Sequence, residues 1–160
     1  MIEMKTLLNS IPQVGTVEWI SIRPNRRGEI VVLDEVNVSV ENGLEGDHYS
    51  NYSKKRQVTL IQKEHLSVVG SILGEDAIDP KLTRRNIVVK GINLISLKKQ
   101  QFQIGEVILE GTGECHPCSR MEENFGAGGY NAMRGHGGLT AKVIQGGIIK
   151  NGDEVKLMLK

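Results

Sequence analysis

Cysteine, proline and aromatic residues are all scarce in this 160-residue chain, and neither sign of charge dominates it. Two cysteines are too few for the disulfide framework of a small secreted protein. A reducing, cytoplasmic setting is the expectation, with thiols that are free, metal-bound or catalytic. Aromatics make up 4%, which leaves little surface for stacking single-stranded nucleic acid. Twenty basic residues against 19 acidic ones give a formal charge of +1, so no overall field draws the chain to nucleic acid or to a membrane. No apolar run approaches the ~20 residues that cross a bilayer. The opening MIEMKTLLNSIPQ carries Glu3 and lacks the basic start and long apolar core of a secretory signal. Neither nucleic acid nor membrane is therefore an expected partner.

What the chain has in quantity is glycine, 19 residues against four prolines, as short strands joined by tight turns require. Valine- and isoleucine-rich or alternating segments predict strands over Gly15–Ile22, Glu29–Val40, Gln57–Gln62 and Asn86–Lys90. Further strands are expected over Gln101–Glu110, Ala141–Gln145 and Asp153–Leu159. FQIGEV and IKNGDEV each set a glycine and an acid between apolar residues, as hairpin turns do. Leu66, Val69 and Leu73 recur at helical spacing, predicting a helix over Lys63–Leu73 with Gly74 beyond its end. A second helix is expected to begin at Pro117. No linker is visible, so residues 1–160 read as one domain. Many strands with few helices predict a mainly β fold: a mixed, largely antiparallel barrel with a few short helices.

The two cysteines stand three positions apart in Cys115-His116-Pro117-Cys118, after an apolar run and before the polar SRMEEN. Such a C-x-x-C can be a redox pair, a zinc corner, two small buried hydrophobes or the setting of one activated thiolate. A redoxin carries the motif early in a βαβ unit and packs a later proline against it; no proline follows Pro117. For zinc, His48, His116 or His136 would have to complete the ligand set, without a second paired motif to help. A thiolate near a helix start and close to cations agrees best with the polar surroundings. The glycine-rich FGAGGYNAMRGHGG that follows reads equally as a nest of N–H groups for an anion or as a surface loop.

Several stretches together resemble the MOSC domain, the family named for the C-terminal domain of molybdenum cofactor sulfurase. They are GLEGDHYSN with RQVTLIQKEHL, then RRNIVVKGINL, FQIGEVILEGTGECHPCSRME and RGHGGLTAKVIQGGIIKNGDEVKL. The likeness runs from about Thr16 to the end and implies a β-barrel whose cysteine binds molybdenum or transferable sulfur. Relatives include the mitochondrial amidoxime-reducing component and small bacterial proteins that reduce N-hydroxylated bases. In those, a thiolate ligates the metal of a pterin-based molybdenum cofactor. Pro117-Cys118 matches the family's proline-cysteine step, so the resemblance gives Cys118 the catalytic and metal-ligand role, with Cys115 accessory.

By the same resemblance Arg84, Arg85 and Asn86 hold the cofactor, since arginine forks suit a phosphate and asparagine both donates and accepts. Ser119 and Arg134 join them as cofactor-binding residues, His48 beside Asp47 is the second catalytic candidate, and His136 lies at the rim. Lys54-Lys55-Arg56 reads as a solvated run. With no flavin or haem motif, electrons must come from an external donor protein; a sulfur carrier would need a sulfur donor instead. The additional N-terminal domain of the mitochondrial relatives has no counterpart here, so either the single domain holds the cofactor, with a second subunit of a homo-oligomer covering it, or the cofactor is not held and the role is sulfur handling or cofactor trafficking.

Overall fold

The structure, a computed structural model, describes residues 1–51 and 53–159. A short helix, α1 (Met4–Leu8), precedes four strands: β1 (Gly15–Ile22), β2 (Val31–Leu33), β3 (Glu35–Ser39) and β4 (Gly43–Leu44). Strand β5 (Val58–Gln62) runs straight into α2 (Lys63–Ile72), and the chain returns as β6 (Ile87–Lys90). A hairpin of β7 (Gln101–Ile104) and β8 (Val107–Glu114) leads to α3 (Ser119–Phe125) and α4 (Gly129–Met133). Strands β9 (Leu139–Gln145), β10 (Gly147–Lys150) and β11 (Glu154–Leu157) complete the chain.

Seven strands close a mixed barrel in the order β11-β7-β8-β9-β5-β6-β1, with β1 meeting β11 again through Gly15 and Val155. Closure removes the unpaired edges that an open sheet would expose. Every barrel pairing is antiparallel except β5–β6, and the exception has a cause. Helix α2 is a crossover, and a crossover brings the next strand back in the same direction. It also covers the outside of that pair, so β5 is buried along its whole length. Inward residues such as Ile20, Leu60, Ile87, Phe102, Ile104 and Leu109 fill the barrel. Outward Ile61 and Val88 join Leu66 and Val69 of α2 and Met121, Ala132 and Met133 of the later helices in a second cluster. Burying each of those larger side chains contributes about 2 kcal/mol, which is what fastens α3 and α4 to the barrel wall.

A second, three-stranded sheet, β10-β3-β4, lies against the barrel, and its Val36, Val38, Leu44 and Ile149 share the main core. Buried Gln57 ties the two together: its Nε2 donates to the Val40 carbonyl at 2.7 Å and its Oε1 accepts from the Val143 N–H at 2.8 Å.

The expected strand over Glu29–Val40 is in fact two. Asp34 bends the chain, so β2 pairs with β1 while β3 pairs in the second sheet. Gln101–Glu110 likewise folds back at Gly105-Glu106, the hairpin turn that FQIGEV signals. The second helix begins at Ser119 rather than Pro117, leaving Cys118 extended at its N-cap. Helices α1 and α4 and strands β4 and β10 were not expected; each is too short to show a period.

Gly138 marks where this fold tolerates no side chain. Its φ is +97°, and a Cβ there would meet the Leu60 carbonyl oxygen at 1.8 Å. Gly74, at φ +82°, has open space around the same position. Gly138→Ala should therefore cost about 3 kcal/mol and Gly74→Ala about 1 kcal/mol, compared by urea denaturation; equal losses would count against this account of the packing.

Candidate functional site

One end of the barrel, where β1 and β8 finish and β5, β6 and β9 begin, opens into a cleft of about 500 Å³. Strand ends bring distant side chains together there: Arg23 after β1, Arg56 before β5, Arg84 and Arg85 before β6, and Arg120 on α3. With Arg26 and Arg27 from the loop after β1, seven of the chain's eight arginines line the cleft. Among the described residues no lysine does, and Glu114 is the one carboxylate on the wall. A chain of nearly zero net charge thus concentrates its guanidinium groups at one place.

Two buried side chains hold this end in shape. Arg85 is 6% exposed and its guanidinium is given to backbone carbonyls. Nε donates to Gly137 at 2.8 Å, Nη1 to Thr83 at 3.0 Å, and Nη2 to Cys115 at 3.2 Å and His116 at 3.3 Å. It thereby fastens both the cysteine loop and the glycine segment to the start of β6. Asn86 lies behind the wall rather than on it. Its Oδ1 accepts from the Thr59 N–H and hydroxyl, both at 3.0 Å. Its Nδ2 donates to the Ser21 carbonyl at 3.2 Å and to Asp47 Oδ1 at 3.3 Å. Asp47 in turn accepts from the backbone N–H of Arg23 at 2.8 Å and of Tyr49 at 3.3 Å, which sets the turn that carries His48 to the cleft.

Both cysteines reach the cleft, in different states. Cys115 is 2% exposed and its Sγ accepts from Arg56 Nη2 at 3.9 Å. Cys118 is exposed and free, with Ser119 beside it on the wall. Arg84 has its pKa lowered, first by burial and then by repulsion from Arg23 and Arg120, with Tyr49 and Cys118 acting in the opposite direction. Its Nη2 donates to the Gly28 carbonyl at 3.0 Å. Among the described residues no three of His, Cys, Asp and Glu converge to hold a metal, so a zinc corner has no ligand set there.

Arg134 and His136 lie elsewhere. Arg134 faces a separate depression beyond Pro117 and donates to Asn131 Oδ1 at 3.3 Å. His136 packs edge-on against His65, ring centroids 5.1 Å apart, with Nδ1 3.0 Å from the Ala132 carbonyl. Burial, and then the neighbouring His136, lower the pKa of His65, while Glu64 opposes them. The glycine-rich segment does grip an anion, but one of the chain's own. The Glu122 carboxylate accepts from the N–H of Gly128 at 3.0 Å and of Tyr130 at 2.9 Å. Sequence reasoning missed Arg23, Arg26, Arg27 and Arg120 and set Arg56 aside as solvated. The available signal was the use of arginine rather than lysine at strand ends, which needs the barrel's topology to be read.

The MOSC domain profile matches residues 47–156. No curated protein matches the chain. Among solved structures, YUAD protein from Bacillus subtilis is similar over 92% of this chain and 97% of its own, at 19% identity and a TM-score of 0.80. YiiM from Geobacillus stearothermophilus is similar over 91% and 75% respectively, at 14% identity and a TM-score of 0.71. YiiM from Escherichia coli gives 91% and 70%, at 18% identity and a TM-score of 0.69. At such identities these likenesses concern the fold.

Arg85→Lys keeps the charge but not the planar fork, and leaves buried carbonyls unpaired. It should cost about 2 kcal/mol and make Cys115 react with maleimide markedly faster; an unchanged rate would show that Arg85 does not hold the loop. Glu122 has its pKa lowered by the N–H groups of Tyr130 and then Gly128. Its carboxylate therefore stabilises the folded state fully above the unfolded-state value, and that contribution is lost as pH falls through the lower folded value. Amide hydrogen exchange at Gly128 and Tyr130 should accelerate across that acid range in the wild type, after correction for intrinsic exchange, and show no such step in Glu122→Gln.

Proposed function

The chain belongs to the MOSC domain family, and from that premise we propose that it is a molybdenum-cofactor-binding protein acting as a small oxidoreductase on N-hydroxylated compounds. The family is associated with molybdenum-cofactor binding. The observation that carries the reading is the company of Cys118: an exposed free thiol on the wall of a cleft otherwise dominated by guanidinium groups.

The residues suit that group on three counts. One exposed soft donor, Cys118, is presented without a three-residue ligand cluster among the described residues, which suits a metal that brings its own ligands, while Cys115 is buried. About 500 Å³ lies within the range of small-molecule and cofactor sites. Arg23 Nε is buried with no partner, a donor without an acceptor on a wall that would face an anion.

In this reading the Cys118 thiolate ligates molybdenum, and Arg84 and Arg56 hold the anionic part of the cofactor through charge-assisted hydrogen bonds. When bound, the cofactor supplies the two-electron chemistry that removes oxygen from an N–O group. Arg85 and Asn86 act through others, holding the cysteine loop and the turn of His48 in place. His48 and Ser119 stand on the wall as groups able to bind or orient substrate, and His48 can carry a proton there. Electrons come from an external donor protein. A second reading, sulfur carriage as a Cys118 persulfide, draws support from the same exposed thiol with a second thiol in the cleft.

Protein made in a cofactor-competent host should contain molybdenum near one equivalent, lost in Cys118→Ser and retained in Cys115→Ser. Metal analysis and extracted-pterin fluorescence check this. Molybdenum absent from the wild type, together with a cyanide-labile sulfur on Cys118 after exposure to a sulfur donor, would replace the oxidoreductase reading with the carrier.

A further inference from the structure

We propose that the rim formed by Arg23, Arg26, Arg27 and Arg120, with Arg84 shared between it and the cofactor's own anionic end, is a second phosphate-binding subsite, which takes a phosphate ester beyond the one carried by the pterin cofactor. The assignment rests on the proposed cofactor reading only for the identity of the first phosphate.

The number and kind of cations carry the inference. A phosphate monoester has three terminal oxygens and at most about two negative charges, enough for about two guanidinium forks. Arg85 is already committed to carbonyls, so six arginines remain in the cleft, and one phosphate leaves most of them unmatched. Of the seven, only Arg120 has an acidic partner among the described residues, the exposed Glu123 at 3.8 Å. Arginine in place of lysine throughout suits flat, two-pronged recognition of phosphate oxygens rather than general attraction.

The rim is also built rather than loosely hung. Arg84 Nη2 donates to the Gly28 carbonyl at 3.0 Å and Arg120 Nη2 to the Arg27 carbonyl at 3.4 Å, clipping the loop after β1 onto β6 and α3. Among the described residues three non-glycine ones have positive φ: Arg27 at 59°, Arg84 at 60° and Lys99 at 63°. Two of the three are therefore rim arginines, held in a conformation that ordinary residues adopt at a cost. Arg23 lies with its Cζ 4.6 Å from the centre of the Tyr49 ring, which steadies the guanidinium while Nε stays buried and unpartnered. Burial, and then repulsion from Arg23 and Arg120, lowers the pKa of Arg84, and a bound anion would offset that repulsion.

The phosphate can come from the substrate, an N-hydroxylated compound carrying a phosphate ester, or from a cofactor extended by a nucleotide. Calorimetric titration of the full chain with inorganic pyrophosphate, at low and at moderate salt, separates the cases. Cofactor-free protein should bind pyrophosphate more weakly as salt rises. Arg26→Gln with Arg27→Gln, both exposed and safe for folding, should weaken binding at least about tenfold. Arg134→Gln, outside the cleft, should not. Equal affinities in the wild type and the double variant would overturn the proposal. In cofactor-loaded protein, persistent pyrophosphate binding that still depends on Arg26 and Arg27 assigns the rim to substrate. Lost binding with a nucleotide released on acid hydrolysis of the extracted pterin assigns it to an extended cofactor. Lost binding with no nucleotide released means that the single pterin phosphate uses the rim, and the proposal fails. Molybdenum content is read separately, so its absence sinks the cofactor reading without touching the cofactor-free titration.

Discussion

The Arg85 guanidinium, buried and spent on the carbonyls of Thr83, Cys115, His116 and Gly137, is the constraint on which the functional end of the barrel depends. A buried charge without a carboxylate is expensive unless its donors are satisfied, and here four carbonyl dipoles do that. The same bonds stop the loop of Cys115 from peeling away from β6. Gly137 and Gly138 complete the clamp, because any side chain there would strike the Cys115 or Leu60 carbonyl. Cys118 is thus presented by a loop whose root is fixed at several points, although the residue itself is exposed.

Against that rigid root stands an electrostatic debt. Concentrating guanidinium groups at one end is destabilising through repulsion, and the closed barrel must supply the stability to hold them there. A ligand that binds only the folded state returns the difference by mass action. The left-handed backbone at Arg27 and Arg84 is a second local conflict at the same place. Buried Asn86 shows the opposite condition, with its donor and acceptor capacity used internally, as a scaffold residue should.

Much of the barrel was legible from pattern. Gly15–Ile22 is read correctly to the residue, its Val17, Ile20 and Ile22 facing the barrel core. Lys63–Ile72 shows its period since α2 packs one stripe on the barrel. The segment from Glu29 to Val40 misled because valines continue through the bend at Asp34, and periodicity does not record which sheet a strand joins. The cysteine loop was identifiable from C-x-x-C and its family resemblance, and the structure brings Cys118, Ser119, Arg84, Arg85 and His48 to one cleft. Arg134 is close to the motif in sequence yet faces another depression, since α4 turns it away.

By itself the sequence determined the fold class, the position of the thiols and the family, all of which depend on local spacing and on motifs in order. Only the tertiary structure decided that Arg85 braces the cysteine loop and Asn86 the turn behind the wall, and that arginines from four separate segments form one charged wall. The physical reason is that a closed barrel gathers strand ends far apart in the chain at a single rim, and no local pattern encodes which ends will meet.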